Sequence, residues 1–275
     1  MARSGSKRGL YFEVHECSGG SGAATVILSA GLGGSASFWA PQMEALTARF
    51  RVVLYDHRGA GRSEQTLPDL DRPYAVDDMA DDIAELMDGL KIASASHVGH
   101  AAGGLAGLSL ALRRPERVEK LVVVNGWSRP DPHIARCFAA RVSLLKDSGA
   151  AAYVHAQPLF LYPADWISAN DARLGEEAAH QIAAFPDPAV MLARIGALLA
   201  FDIDARLGEI DAPVLVSASA DDMLVPASCS RRLAEGLRRA GLEIAPWGGH
   251  GFTVTAAEVF NRSLVAYLAG EAPVP

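Results

Sequence analysis

The feature that most restricts the fold is a series of short apolar runs, rich in β-branched residues and spaced along the chain. They are ATVILS (24–29), RVVLYD (51–56), SHVG (96–99), KLVVVN (120–125) and PVLVSAS (213–219). Each is too short for a helix of typical length. None alternates as a strand with one wet face does, so they read as parallel strands covered on both sides. Leu10, Phe12 and Val14 do alternate with polar residues and mark a half-buried opening strand, while LEIAP (242–246) reads as the last. GGSGA (19–23) is read as the turn between the first two strands.

Helical periodicity fills the gaps. Val76, Met79, Ala80, Ile83, Leu86, Met87 and Leu90 share one face, with Asp77 and Asp78 in the first turn near the positive helix end. Further helices are expected from about Ala101 to before Pro115, from Ser228 to Arg239, and from Ala257 to Ala269. Alternating β and α elements predict an α/β fold with a mostly parallel central sheet and helices on both faces. From Gly126 to Leu207 the rhythm breaks into helices and loops rich in aromatics. The expected organisation is a core of residues 1–125 and 208–275 and a helical cap insertion of residues 126–207, lying over the strand ends where open α/β sheets bind ligands.

The segment HVGHAAGG (97–104) leads a strand into Gly99-His100-Ala101-Ala102-Gly103. This is the G-x-S-x-G nucleophile elbow with alanine in the serine position, and Gly103 and Gly104 let the next helix approach the sheet. In a hydrolase of this kind the loop SAGLGGS (29–35) supplies one backbone donor of an oxyanion hole, Leu32, and Ala102 supplies the other. Asp222 in SADDMLVP (219–226) and His250 in GGHGF (248–252) follow in the order elbow, acid, base. They are expected to form a catalytic dyad, with Asp221 the less favoured acid. His100 and the stretch DHRGAGRS (56–63) read as structural. Trp127 and Trp166 are expected to line the substrate. The sequence therefore reads as an α/β-hydrolase fold.

The elbow VGHAAGG, the cap segments NGWSRPDPHIARCF (125–138) and AQPLFLYPADW (156–166), and the Asp222 and His250 segments together resemble the RutD family. The resemblance runs from about Ala23 to Ala269. It implies hydrolysis of carbamate or 3-aminoacrylate arising in pyrimidine breakdown, and it implies that alanine is native at the elbow. Alanine cannot form an acyl-enzyme, so the expected chemistry is proton transfer by His250 and Asp222 with no serine nucleophile, on a substrate already prone to decay. The alternatives are a serine ester or lactone hydrolase carrying a Ser-to-Ala change at 101, a catalytically silent ligand-binding protein, and a cofactor-free oxygenase.

The net charge is −7 and no Lys/Arg block stands out, which argues against nucleic acid or an anionic membrane as partner. No metal is expected, since the histidines form no ligand pair, and no other cofactor is called for. Cys17, Cys137 and Cys229 are odd in number and widely spaced, as in a reduced, cytoplasmic protein. The N-terminal residues lack the apolar region of a signal peptide. The expected partner is a small-molecule substrate, and an exposed strand edge or helix pair leaves room for a homodimer.

Overall fold

The structure is a computed structural model and describes residues 2–20, 22–69 and 71–271. Eight strands form one sheet: β1 (Ala2–Lys7), β2 (Leu10–His15), β3 (Thr25–Ser29), β4 (Arg51–Tyr55), β5 (Ala95–His100), β6 (Val118–Val124), β7 (Val214–Ser219) and β8 (Ala240–Ala245). Their spatial order is β1-β2-β4-β3-β5-β6-β7-β8. The six strands from β4 to β8 in that order run parallel, β2 pairs antiparallel with β4, and β1 pairs antiparallel with β2.

Every apolar run lies in or overlaps a parallel strand, and neighbouring residues face opposite cores. Ile27, Val53 and Val123 pack into one apolar cluster, and Val26, Val52 and Val122 into the other. The strand β1 was not expected. ARSGSK has no apolar pattern, so only its backbone ladder to β2 makes it a strand. The hairpin turns at Arg8 and Gly9, both at positive φ, which is the type I′ signature of a two-residue loop. Of the GGSGA turn, residue 21 lies outside the described residues.

The helices of the core are α1 (Met43–Thr47), α2 (Val76–Gly89) and α3 (Ala102–Arg113). Asp78 starts α2 by accepting the Ala75 N–H at 2.8 Å. Between β6 and β7 come α4 (Pro132–Ser143), α5 (Gly149–Leu161), α6 (Ala164–Ala169), α7 (Asp171–Ala183) and α8 (Pro188–Ala200). After β7 lie α9 (Ala227–Gly236), α10 (Phe252–Thr255) and α11 (Ala257–Ala269). The expected helix from Ser228 to Arg239 runs from Ala227 only to Gly236, because Leu237 takes an extended conformation (φ −83°, ψ 144°) that ends it. As a result β8 begins at Ala240, ahead of the LEIAP run. Among the described residues no single helix is long and apolar enough to cross a membrane.

The central helix α3 is buried along almost its whole length. It can lie so close to the sheet only because Gly103 and Gly104 in its first turn lack side chains. A Cβ on Gly103 would stand 2.2 Å from the Ser29 carbonyl oxygen, and one on Gly99 2.3 Å from the Gly103 carbonyl carbon. Both neighbours are backbone and cannot move aside. By contrast, Gly196 in α8 has nothing within 4 Å of such a Cβ. Urea denaturation is expected to show Gly103→Ala losing at least about 1–3 kcal/mol, the usual cost of overpacking. Gly196→Ala should be neutral or gain up to about 1 kcal/mol from helix propensity. Equal effects at the two positions would refute the close-approach account.

Candidate active site

The site begins with the turn from β5 into α3. Ala101 has φ 43° and ψ −111°, a conformation that a residue with a Cβ rarely adopts. It is fastened from both sides: its N–H donates to the Val124 carbonyl at 2.8 Å, and its own carbonyl accepts the Leu105 N–H at 2.9 Å. The strain at residue 101 thus comes from tertiary packing and is characteristic of an elbow that pushes one side chain out of the backbone trace.

His250 comes to this end of the sheet on the loop after β8. Its Nδ1 lies 2.7 Å from Asp222 Oδ2, and both side chains are almost fully buried. Asp222 Oδ1 accepts the N–H groups of Leu224 and Val225 at 2.7 and 2.8 Å. The carboxylate is therefore satisfied on one oxygen by its own loop and offers the other to the imidazole. With Nδ1 donating to Asp222, the remaining ring nitrogen Nε2 is the acceptor, as a general base requires.

Several residues fix the His250 loop. The His250 carbonyl accepts from His100 Nε2 at 2.8 Å and from Asn125 Nδ2 at 2.6 Å. Asn125 Oδ1 also accepts the Ser219 N–H at 3.2 Å, so this one side chain joins the ends of β6 and β7 to the histidine loop. Asn125 sits at φ 48°, a region asparagine tolerates better than most residues. Asp221 accepts the N–H groups of Gly248 and Gly249 at 3.2 and 2.9 Å. Burial raises its pKa, but hydrogen bonds from Ser219 and from these N–H groups outweigh that and hold it below the ordinary value. The sequence reading passed over Asn125 and Asp221 as positioning residues. A polar residue closing an apolar strand run was the one signal that could have found them.

The side chains of His100 and His250 meet edge to face, with ring centroids 4.6 Å apart. Burial pushes the His100 pKa down to about 3; the nearby His250 lowers it further, and the bond to the His250 carbonyl opposes this. A neutral His100 that donates through Nε2 is thus an anchor for the His250 loop. His97, at 2.7 Å from Ser29 Oγ, is pushed down to about 4 by burial.

The remaining predicted residues lie in different settings. Leu32 and Ala102 are buried, and neither N–H donates to a protein acceptor among the described residues. Gly31 abuts His100, whose Nδ1 would stand 2.8 Å from an added Cβ, so the Leu32 loop rests on the elbow strand. Trp127 is buried with its indole N–H unpartnered. Trp166 is only half-buried and stacks on Tyr162 at 4.5 Å. Tyr162 reaches the histidine loop: its Cε1 would lie 2.5 Å from a Cβ on Gly251, and the Gly251 N–H donates to the Leu161 carbonyl at 2.8 Å.

A family model described as alpha/beta hydrolase fold matches residues 24–150. A protein of Caulobacter sp. (strain K31) named "Putative carbamate hydrolase RutD" is 67% identical over 98% of this chain and 99% of its own length. The chain belongs to the RutD family of α/β-hydrolases. Among solved structures, the enol-lactonase from Burkholderia xenovorans LB400 is 27% identical, with a TM-score of 0.86 over 97% of this chain and all of its own. A hydrolase from Pseudomonas aeruginosa PA01 is 26% identical, with a TM-score of 0.80 over 94% of each chain.

These similarities make the RutD-family chain an enzyme of the hydrolase class, and they correct one expectation. The sequence reading assigned its function to a His–Asp pair with no serine nucleophile. A buried serine, Ser96, lies on the strand leading into the elbow. The Burkholderia and Pseudomonas structures are both hydrolases, the first an enol-lactonase. The strained turn at 101 is the kind that presents a serine nucleophile in this fold. The serine-free dyad is therefore overturned.

Two outcomes follow from this geometry. Asp222→Ala should lose about 1–3 kcal/mol for each group it strands, namely the Leu224 and Val225 N–H groups and His250 Nδ1, with Asp222→Asn losing less. Denaturant midpoints read this directly. Stability should also fall on acidification. His97 and His100 have folded pKa values depressed to about 4 and about 3, against about 6.5 unfolded. Below about pH 6.5 the unfolded chain takes up protons that the folded chain refuses. The loss approaches about 1.4 kcal/mol per pH unit per histidine down to the folded pKa. His100→Gln keeps a donor for the His250 carbonyl and should flatten this slope between pH 6.5 and 4; an unchanged slope would exclude His100 as its source.

Proposed function

We propose that this chain has the architecture of a serine-type hydrolase of a small ester-, lactone- or carbamate-like carbonyl compound, carrying a Ser-to-Ala change at its nucleophile position, Ala101. The observation that carries this reading is the backbone of Ala101, held at φ 43° and ψ −111° by tertiary packing. An alanine gains nothing from that strain, whereas a serine hydroxyl is presented by it. Ser96 is the competing position. It lies inside β5, paired with Val26, and at about 3.3 Å per residue it is roughly 16 Å from the turn. That favours residue 101.

The reaction at such a site runs as follows. With serine at 101, the hydroxyl oxygen forms a bond to the substrate carbonyl carbon while its proton passes to His250 Nε2. Asp222 on Nδ1 fixes the tautomer and steadies the imidazolium. The oxyanion that forms takes hydrogen bonds from the Leu32 and Ala102 N–H groups. His250 returns the proton to the leaving group, and water then releases the acyl group by the same steps in reverse. The enol-lactonase likeness supports a cyclic or linear ester, and the name of the Caulobacter relative supports a carbamoyl carbonyl. Residues 126–207 serve in this reading as a cap, with Tyr162 against the histidine loop and Trp166 packed on Tyr162.

The test is hydrolysis of p-nitrophenyl acetate. Ala101→Ser should raise the rate by about 10²–10⁴-fold with an acyl burst. His250→Ala in that background should return it to the starting level, and Ser96→Ala should leave it unaltered. If Ala101→Ser is no faster than the starting protein, or if the starting protein shows a burst that Ser96→Ala removes, position 101 is not the nucleophile position.

A further inference from the structure

Arg194, on α8, has a fully buried side chain and makes no ion pair among the described residues. Its one hydrogen bond runs from Nη2 to His57 Nδ1 at 3.2 Å, while Nε and Nη1 have no partner. A guanidinium does not deprotonate in a protein, and burying it without an anion costs several kcal/mol. No carboxylate among the described residues bonds to Arg194. Asp82 takes two bonds from Arg58 at 2.8 and 3.0 Å, and Asp56 is held by Arg62 and the Ala36 N–H.

His57 adds to the imbalance. Its Nδ1 accepts from Arg194, so the ring proton sits on Nε2, which is buried and has no acceptor. Burial and the Arg194 cation keep the ring neutral. Three N–H directions, Arg194 Nε, Arg194 Nη1 and His57 Nε2, therefore lack an acceptor in one part of the interior. Both residues press on the loop that carries Leu32: an added Cβ on Gly34 would stand 3.0 Å from Arg194 Nη2 and 3.1 Å from His57 Cβ.

We propose that Arg194 and His57 form a binding site for a small carboxylate, taken by the planar guanidinium fork beside the Leu32 loop. A carboxylate supplies acceptors along one edge of the guanidinium, Nε with Nη2 or Nη1 with Nη2, and its charge offsets the buried cation. The site is a ligand site in its own right and does not depend on which residue is the nucleophile.

Sodium acetate is the probe, titrated calorimetrically into the intact protein against sodium chloride at matched ionic strength. The expected result is saturable uptake of one acetate per chain that chloride does not reproduce. Arg194→Met should weaken this by about tenfold or more. Its melting temperature without acetate should be equal or higher, because an uncompensated charge has gone; a merely structural arginine would lower it. Arg194→Lys keeps the charge without the fork and should bind acetate with reduced affinity; it carries the comparison if Arg194→Met does not fold. No uptake beyond chloride, meaning that water alone fills these donors, overturns the proposal. So does undiminished acetate affinity in the Met variant, or in the Lys variant where that is the one that folds. The titration has no catalytic step, so its failure is distinct from failure of Ala101→Ser.

Discussion

The backbone contact between Gly99 and Gly103 is the constraint on which the rest depends. An added Cβ on Gly99 would reach 2.3 Å from the Gly103 carbonyl, so strand and helix pass closer than any side chain permits. That approach bends the chain sharply at Ala101 and drives its φ positive. It also leaves the Ala102 N–H at the head of α3 without an intrahelical partner, as for any helix start. The same turn lets α3 run buried between the sheet and α2, and its leucines Leu105 and Leu108 each contribute about 1.5–3 kcal/mol of burial. The strain at the turn and the stability of the core thus arise from one packing event.

A histidine held on a loop, as His250 is, needs its position fixed by something other than a regular element. Here the ends of three strands supply it. Asn125 at the end of β6 and His100 at the end of β5 both donate to the His250 carbonyl, and Asp221 after β7 holds the two glycines that precede it. Buried polar groups are costly unless paired, so a network satisfied in this way favours one arrangement over its neighbours. Asp222 is fixed independently by its own turn through Leu224 and Val225. Asp222 and His250 are therefore joined twice, directly at 2.7 Å and through Asp221, the chain neighbour of Asp222.

The helices after β6 meet this core through polar as well as apolar contacts. Tyr162 and Leu161 rest on the histidine loop, and Arg194 reaches from α8 to His57 and Gly34. A second guanidinium, Arg141, is also buried and bonds to Tyr153 at 2.5 Å instead of to a carboxylate. Interiors rarely hold cations in this state, because paired charges or neutral groups are less costly there. Two guanidinium groups without a carboxylate partner thus lie in the interior of a chain that is acidic as a whole.

The sequence by itself determined the parallel strands, because β-branched runs buried on both faces carry their pattern locally. It also determined the glycine positions of the elbow and the order of elbow, acid and base, since each is a matter of residue type at a fixed offset. It did not reveal β1, whose polar residues form a strand only by pairing with β2. Nor did it show that Asn125 and Asp221 hold the histidine loop, for those bonds join residues far apart in the chain. The nucleophile reading was misjudged because an alanine read from sequence is a missing hydroxyl, whereas the strained backbone beneath it becomes visible only when strand, glycine and helix are packed together. Likewise, Arg194 is one arginine among many until folding strips it of water and of any carboxylate partner, because desolvation is a property of the assembled interior and not of the residue.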